Sequence, residues 1–267
     1  MDIKITSTYS PGLPLDPTRR KIVFLSAQKG CRAVCRFCGH EYHKYRGNTS
    51  TTDLETELRA ELAVAPTPRH IDRLEVYFTK LGEPTMNDSV LDLTEFRLKG
   101  IAKSYTHVGR ICPVVATMLP KMNPFLEDFL EDWCYLKNRA YSGAAGLQFS
   151  LYSTSESQRS HILKGLTLEI VDIAKILSRL PRPVGEKYAL NFHLSNNSEL
   201  REKVISRNFD PENFAVNLIE DQKPDNIANY RSFWDSAETL ANLGYDVTIF
   251  EPTEKSPLSC QNVAISI

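Results

Sequence analysis

The sequence predicts an α/β fold: an open partial TIM-like barrel with a (βα)6 core. Three observations point to it. Short β-branched and aromatic runs alternate with amphipathic helical segments from residue 21 to residue 250. Parallel strands need a crossover long enough to hold a helix, so this alternation is the pattern of βαβ units. Polar residues and glycines gather just after the strand-like runs, where barrel folds of this kind place their working groups. No internal repeat, low-complexity tract or heptad pattern competes with this reading.

The elements follow in order. After a Pro-rich start (Pro11, Pro14, Pro17), Lys21-Ile-Val-Phe-Leu-Ser-Ala27 reads as a buried strand. Residues 53 to 64 place leucines at helical spacing, and Pro66 and Pro68 end that helix. Further strands are expected at 74 to 80, 111 to 117, 146 to 152, 187 to 194, 214 to 219 and 246 to 250. Helices fill the gaps at 88 to 102, 123 to 137, 155 to 179, 198 to 206 and 226 to 243, the last ending at Gly244, a natural C-cap. The expected organisation is an N-terminal extension (1 to 20), the partial barrel (21 to 251) and a C-terminal tail (252 to 267).

With 267 residues, 42% hydrophobic and 24% charged, the chain suits one sizeable core. Its formal charge of −1 leaves no excess of cations to neutralise a phosphate backbone, which disfavours a large nucleic-acid partner. Arg19-Arg20-Lys21 and Lys29 to Arg46 remain local basic patches. The start, Met-Asp-Ile-Lys-Ile-Thr-Ser, has no basic region leading into an apolar stretch, and no run approaches the length of a membrane span. A cytoplasmic protein without a membrane partner is therefore expected. Six cysteines in such a chain argue for metal or catalytic use more than for disulfides.

Three of them, Cys31, Cys35 and Cys38, form a CxxxCxxC directly after the first strand. An iron–sulfur cubane needs a soft thiolate on each iron it anchors, and a loop this short wraps three irons while leaving the fourth open. The plainer readings are three buried core cysteines, or a zinc site completed by His40 or His43.

The cysteine pattern, with Phe37 just before the last Cys, resembles the radical S-adenosylmethionine (SAM) superfamily. Several strand ends together are similar to its RlmN/Cfr family of RNA adenine methyltransferases. Phe24-Leu-Ser-Ala-Gln-Lys-Gly-Cys31 resembles the VSSQxGC that leads into that family's cluster loop. Gly82-Glu83-Pro84-Thr-Met-Asn87 resembles GMGEPLLN, and Ser150-Leu-Tyr152 stands where the family has Ser-Leu-His. Phe214-Ala-Val-Asn217-Leu-Ile219 resembles INLIP, and Leu258-Ser-Cys260-Gln-Asn resembles ACGQL, which carries a methyl-accepting Cys.

The resemblance implies a 4Fe-4S cluster on Cys31, Cys35 and Cys38, with SAM bound beside it. Phe37 would pack on the SAM adenine, Gly82 and Glu83 would bind its ammonium, and Thr117, Ser150, Tyr152 and Asn217 would complete the cofactor site. An electron donor such as flavodoxin or ferredoxin is implied too. Cys260 is the expected catalytic residue, and Tyr152, His193 and Glu251 are expected at the barrel mouth as substrate contacts.

Two departures steer the expected substrate. Only about twenty residues precede the first strand, where the family carries an RNA-gripping domain. The family's second cysteine, seven residues before the cluster motif, is Phe24 here. Cys112 and Cys134 are expected to be buried core cysteines rather than its substitute. The expected function is therefore radical SAM chemistry on a small, nucleoside-like metabolite, whether methylation, sulfur insertion or hydrogen abstraction. The alternatives are an RNA adenine methyltransferase acting through methylated Cys260, and a cluster-containing binding or regulatory protein.

Overall fold

The structure is a computed structural model that describes residues 4–6, 19–36, 38, 44–64, 70–105, 107–194, 198–220 and 227–250. Among the described residues, eight strands form one sheet: β1 (Lys4–Thr6), β2 (Arg20–Ser26), β3 (His70–Leu81), β4 (His107–Thr117), β5 (Gly146–Ser150), β6 (Tyr188–Leu194), β7 (Phe214–Glu220) and β8 (Val247–Phe250). The spatial order is β1-β8-β7-β6-β5-β4-β3-β2, and every neighbouring pair is parallel. Strands β2 to β8 thus lie in chain order as a curled, open half-barrel, with a helical crossover between each pair.

The helices are α1 (Thr51–Ala63), α2 (Ser89–Asp92), α3 (Leu98–Tyr105), α4 (Leu126–Tyr135), α5 (Glu156–Ile162), α6 (Ile170–Leu177), α7 (Glu202–Asn208) and α8 (Ile227–Asn242). Among the described residues, none is long and apolar enough to cross a membrane.

The core lies between the helices and one face of the sheet. On β2 the inward set is Val23 and Leu25, packed with Leu54, Leu58 and Leu62 of α1 in one buried cluster. A strand period of two meets a helix repeat of four, so each element buries a single stripe. Ser50 caps α1 by accepting from the Asp53 N–H at 3.1 Å. The alternate residues of the same strands carry polar groups, including Glu75, Gln148, Asn191 and Asn217, all buried. Glu75 accepts from Arg20 at 2.9 and 2.8 Å, from Arg73 at 2.7 Å and from the Tyr77 hydroxyl at 3.0 Å. A buried carboxylate is tolerated only when its lone pairs are filled in this way.

The structure corrects two expectations. Residues 155 to 179 form two helices rather than one. After α5 the chain turns through Lys164 (φ 52°) and Gly165 (φ 66°), and residues 166 to 168 run beside the segment that follows β4. There the Lys121 N–H donates to Leu166 O at 2.8 Å and the Thr167 hydroxyl donates to Met118 O at 2.7 Å. The buried Arg159 guanidinium holds the break open by donating to Leu151 O, Thr167 Oγ1 and Leu168 O. Second, β1 adds an edge strand from within the expected N-terminal extension, pairing Lys4–Thr6 with Thr248–Phe250.

Lys137, fully buried just after α4, donates from Nζ to Gly143 O at 2.8 Å and Val184 O at 3.1 Å. Burial lowers its pKa from 10.5 to about 8, against the opposing pull of Glu186. The folded state therefore binds fewer protons than the unfolded state between pH 8 and 10.5, and stability rises with pH across that window. The neutral amine still offers two N–H groups for its two carbonyls. Unfolding free energies of wild type and Lys137→Met, measured from pH 7 to 10.5, are expected to diverge in favour of wild type by roughly 2–3 kcal/mol. Parallel pH profiles would remove this assignment.

Candidate active site at the strand ends

The cysteine loop leaves β2 through Ala27 and Gln28 and is pinned at both ends. The Lys29 N–H donates to Gly47 O at 2.9 Å, Arg46 N–H to Lys29 O at 2.7 Å, and Arg36 N–H to Ile162 O at 2.9 Å. Gly30 (φ +86°) lets the loop pass so close that a Cβ would lie 2.3 Å from Lys44 O. Val34 sits at φ 43°, a costly conformation for a β-branched residue.

Cys31, Cys35 and Cys38 all line one cleft, open to solvent, together with Gly82, Glu83, Ala116, Met118, Ser150 and Tyr152. Burial raises the Cys31 pKa, against N–H groups of Ala33 and Val34 that favour the thiolate. Among the described residues, no three His, Cys, Asp or Glu side chains are grouped to hold a single metal ion. Three thiols line this cleft, and an iron–sulfur cluster takes one thiolate per iron it anchors. The site's donors therefore fit a 4Fe-4S cluster.

Beyond β3, Gly82 and Glu83 lead into the single turn Pro84–Met86. The Glu83 carboxylate is buried and accepts from the Thr85 hydroxyl at 2.8 Å, the Thr85 N–H at 3.2 Å and the Met118 N–H at 3.1 Å. Burial raises its pKa, while hydrogen bonds from Thr117, Thr85 and Met118 work to hold it ionised. Thr117 thus stands behind Glu83, its hydroxyl also accepting from the Leu119 N–H at 2.9 Å.

Two residues whose roles the motifs did not announce connect these parts. Buried Gln28 accepts at Oε1 from the Glu83 N–H at 3.1 Å and the Arg32 N–H at 3.4 Å, and donates to Asn48 Oδ1 at 2.9 Å. It thereby locks the cysteine loop to the Glu83 strap. Asn87 donates to Ala27 O at 2.7 Å and Thr49 O at 2.8 Å, tying the end of β2 to the start of α1. Both lie inside motifs quoted above, and a side-chain amide in a turn is the available signal. Apart from Arg32, four residues from Gln28, the partners are 20 to 60 residues away, which no local pattern reveals.

On the opposite wall, Ser150 ends β5 and Tyr152 turns the chain at φ 67°. The N–H groups of Leu151 and Tyr152 both donate to Asn191 O, at 2.9 and 3.2 Å. The Tyr152 ring stacks on His193 with centroids 4.5 Å apart and an interplanar angle of 20°. Asn217 does not line the cleft. It donates to Asn191 Oδ1 at 2.8 Å, and Asn191 donates to Gln148 Oε1 at 3.0 Å, a row of amides across β7, β6 and β5.

Cys112 and Cys134 are fully buried, and burial pushes their pKa values up to about 12 and about 11. Tyr188 Oη lies 3.1 Å from Cys134 Sγ and donates to it. Neither thiol is set up as a nucleophile. Phe37, Glu251 and Cys260 lie outside the described residues.

This open parallel half-barrel, with its cleft at the C-terminal strand ends, has the partial TIM-like fold of radical SAM proteins. A solved structure that shares it is a radical SAM methyltransferase from Sphaerobacter thermophilus, with a TM-score of 0.57 and 17% sequence identity over 94% of this chain and 70% of that one. At that identity the likeness is one of fold. No protein-family model and no curated protein matches the chain.

Proposed function

We propose that the chain is a radical SAM enzyme acting on a small, nucleoside-like substrate, with a 4Fe-4S cluster on Cys31, Cys35 and Cys38 and SAM in the adjoining cleft. The observation that carries the reading is the meeting of three thiols and a buried carboxylate, Glu83, in one cleft of a radical SAM fold. When bound, the cluster supplies the electron that opens a carbon–sulfur bond of SAM.

The chain's own residues bind and enclose. Glu83 is positioned to attract the SAM ammonium, and Thr85, Thr117 and Met118 fix its carboxylate. Ala33, Val34 and Met118 give the cleft apolar walls beside the thiols. Tyr152 lines the cleft with its ring stacked on His193, which does not itself line it, and so supplies an aromatic wall for a heteroaromatic ring. Cys260, outside the described residues, is assigned a covalent role on its tail motif alone.

Anaerobic reconstitution followed by dithionite and SAM tests the reading, with mass spectrometry of small products and intact protein. Release of 5′-deoxyadenosine and methionine is expected, and no SAM turnover would overturn it in favour of a cluster-binding regulatory protein. Cys260→Ala is expected to keep cluster and SAM binding while losing product. Unchanged product formation would sink that role. The methyltransferase fold neighbour favours methyl transfer as a second reading. A methyl mass increment on the Cys260 peptide, with S-adenosylhomocysteine released, would support it and make RNA the next substrate to test.

A further inference from the structure

We infer that Arg159 is a positioning residue for the cysteine loop, acting through the turn 163–168 that it holds against the cleft. This rests on the reading of Cys31, Cys35 and Cys38 as cluster ligands. The guanidinium is fully buried, and desolvating a charge costs so much that an apolar residue of similar volume is often no less stable. What an apolar residue cannot supply is direction. Arg159 donates from Nε to Leu151 O at 3.1 Å, and from Nη2 to Thr167 Oγ1 at 3.1 Å and Leu168 O at 3.0 Å. Glu156 pairs with Nη1 at 2.8 Å. The fork is rigid and planar, so one group fixes the chain just before Tyr152 at a set spacing from the turn.

From the turn, contacts run to both halves of the site. Thr167 passes the hydrogen bond on, its hydroxyl donating to Met118 O at 2.7 Å, and the Met118 N–H donates in turn to Glu83 Oε2 at 3.1 Å. The Leu168 N–H donates to Leu119 O at 3.2 Å. Toward the thiols, Ile162 O accepts at 2.9 Å from the N–H of Arg36, the residue directly after Cys35.

Packing follows the same route. Leu163 is fully buried in a small apolar cluster with Ala33, Cys35, Met118 and Tyr152, and Ile162 and Leu166 pack on it, as do Cys31 and Cys38. This cluster is separate from the main core between sheet and helices, so the apolar side chains that press on the thiol loop come in part from the turn. Arg159 itself does not line the cleft. Loss of its hold is therefore read at the thiols as local opening.

The test compares Thr167→Val, which removes the hydroxyl link while keeping the side chain's size, with Thr167→Ser, which keeps the link. In iron-free protein, alkylation of each cysteine by iodoacetamide is followed by peptide mass spectrometry. Cys134, in the main core, reports global opening in the same sample. In Thr167→Val the Cys35 rate is expected to rise about tenfold relative to the Cys134 rate, the effect of one lost buried hydrogen bond on local opening. Thr167→Ser should keep the wild-type ratio. Arg159→Lys, which keeps the charge without the fork, should raise the ratio as well. In reconstituted protein, iron release to a chelator should be about tenfold faster in Thr167→Val and unchanged in Thr167→Ser, at the low end of outer-shell effects. Equal rises at Cys35 and Cys134 would mean a general loss of stability and overturn the inference, as would an unchanged ratio in Thr167→Val. If wild type takes up no iron–sulfur cluster, the proposed function fails, while the alkylation ratio still decides whether the turn positions the thiol loop.

Discussion

Cys35→Ala is expected to empty the site of iron and abolish SAM cleavage. Cys35 is 6% exposed, packs with Ala33, Met118, Tyr152 and Leu163, and has its Sγ 3.8 Å from the Met118 sulfur. Alanine removes the thiolate and leaves a small apolar gap in a cluster that the rest of the loop still encloses. In the proposed cluster, loss of one of the three thiolates leaves one iron without an anchor, and even outer-shell losses cost metal sites 10–100-fold. A loss of at least about 100-fold in turnover is therefore expected. Iron and sulfide content, visible absorbance and 5′-deoxyadenosine release measure it. Cys134→Ala is the control, because Cys134, on the buried face of α4, lies in the main core and that variant should keep its iron. Full iron content and turnover in Cys35→Ala would disprove the cluster assignment.

Gly82→Ala is the second large effect expected. Gly82 adopts φ +97°, and a Cβ there would lie 2.5 Å from Gln28 Cβ and 2.7 Å from the Gln28 backbone nitrogen. A side chain cannot relieve the second contact by changing rotamer, because the Gln28 N–H is itself bonded to Leu81 O at 3.0 Å. The Glu83 strap and the cysteine loop must move apart, breaking the Gln28 bridge between them. Strain and overpacking together should cost about 2–4 kcal/mol of stability, with a weakened SAM affinity. Gly100→Ala, within α3 and with open space around it, should instead stabilise by roughly 0.5–1 kcal/mol. Thermal unfolding of both variants, with SAM titration of the first, checks the pair. Equal melting temperatures would refute the close approach at Gly82.

Where each element begins followed largely from local chemistry. The strand at 21 to 27 was legible because Ile22 to Ala27 is an apolar β-branched and aromatic run, and it is observed at Arg20–Ser26. The break between α5 and α6 was not, because residues 155 to 179 read as helical and the chain departs from that pattern to satisfy Met118 O and buried Arg159. β1 escaped notice for a related reason: three residues carry too little pattern, and their pairing partner lies more than 240 residues away.

The site divides along the same line. Cysteine spacing in CxxxCxxC, with the polar strand ends, determined from sequence alone that thiols would gather at the mouth of an α/β barrel. Ligand spacing within one loop is a local property of the chain. Tertiary structure alone decided that Glu83 faces those thiols, held by Met118 and Thr85. It likewise decided that Asn217 hydrogen-bonds Asn191 rather than lining the cleft, and that Gln28 clasps the loop to the strap. These are contacts between strands far apart in the chain, and a side chain's facing is set by sheet register and packing, which no single segment contains.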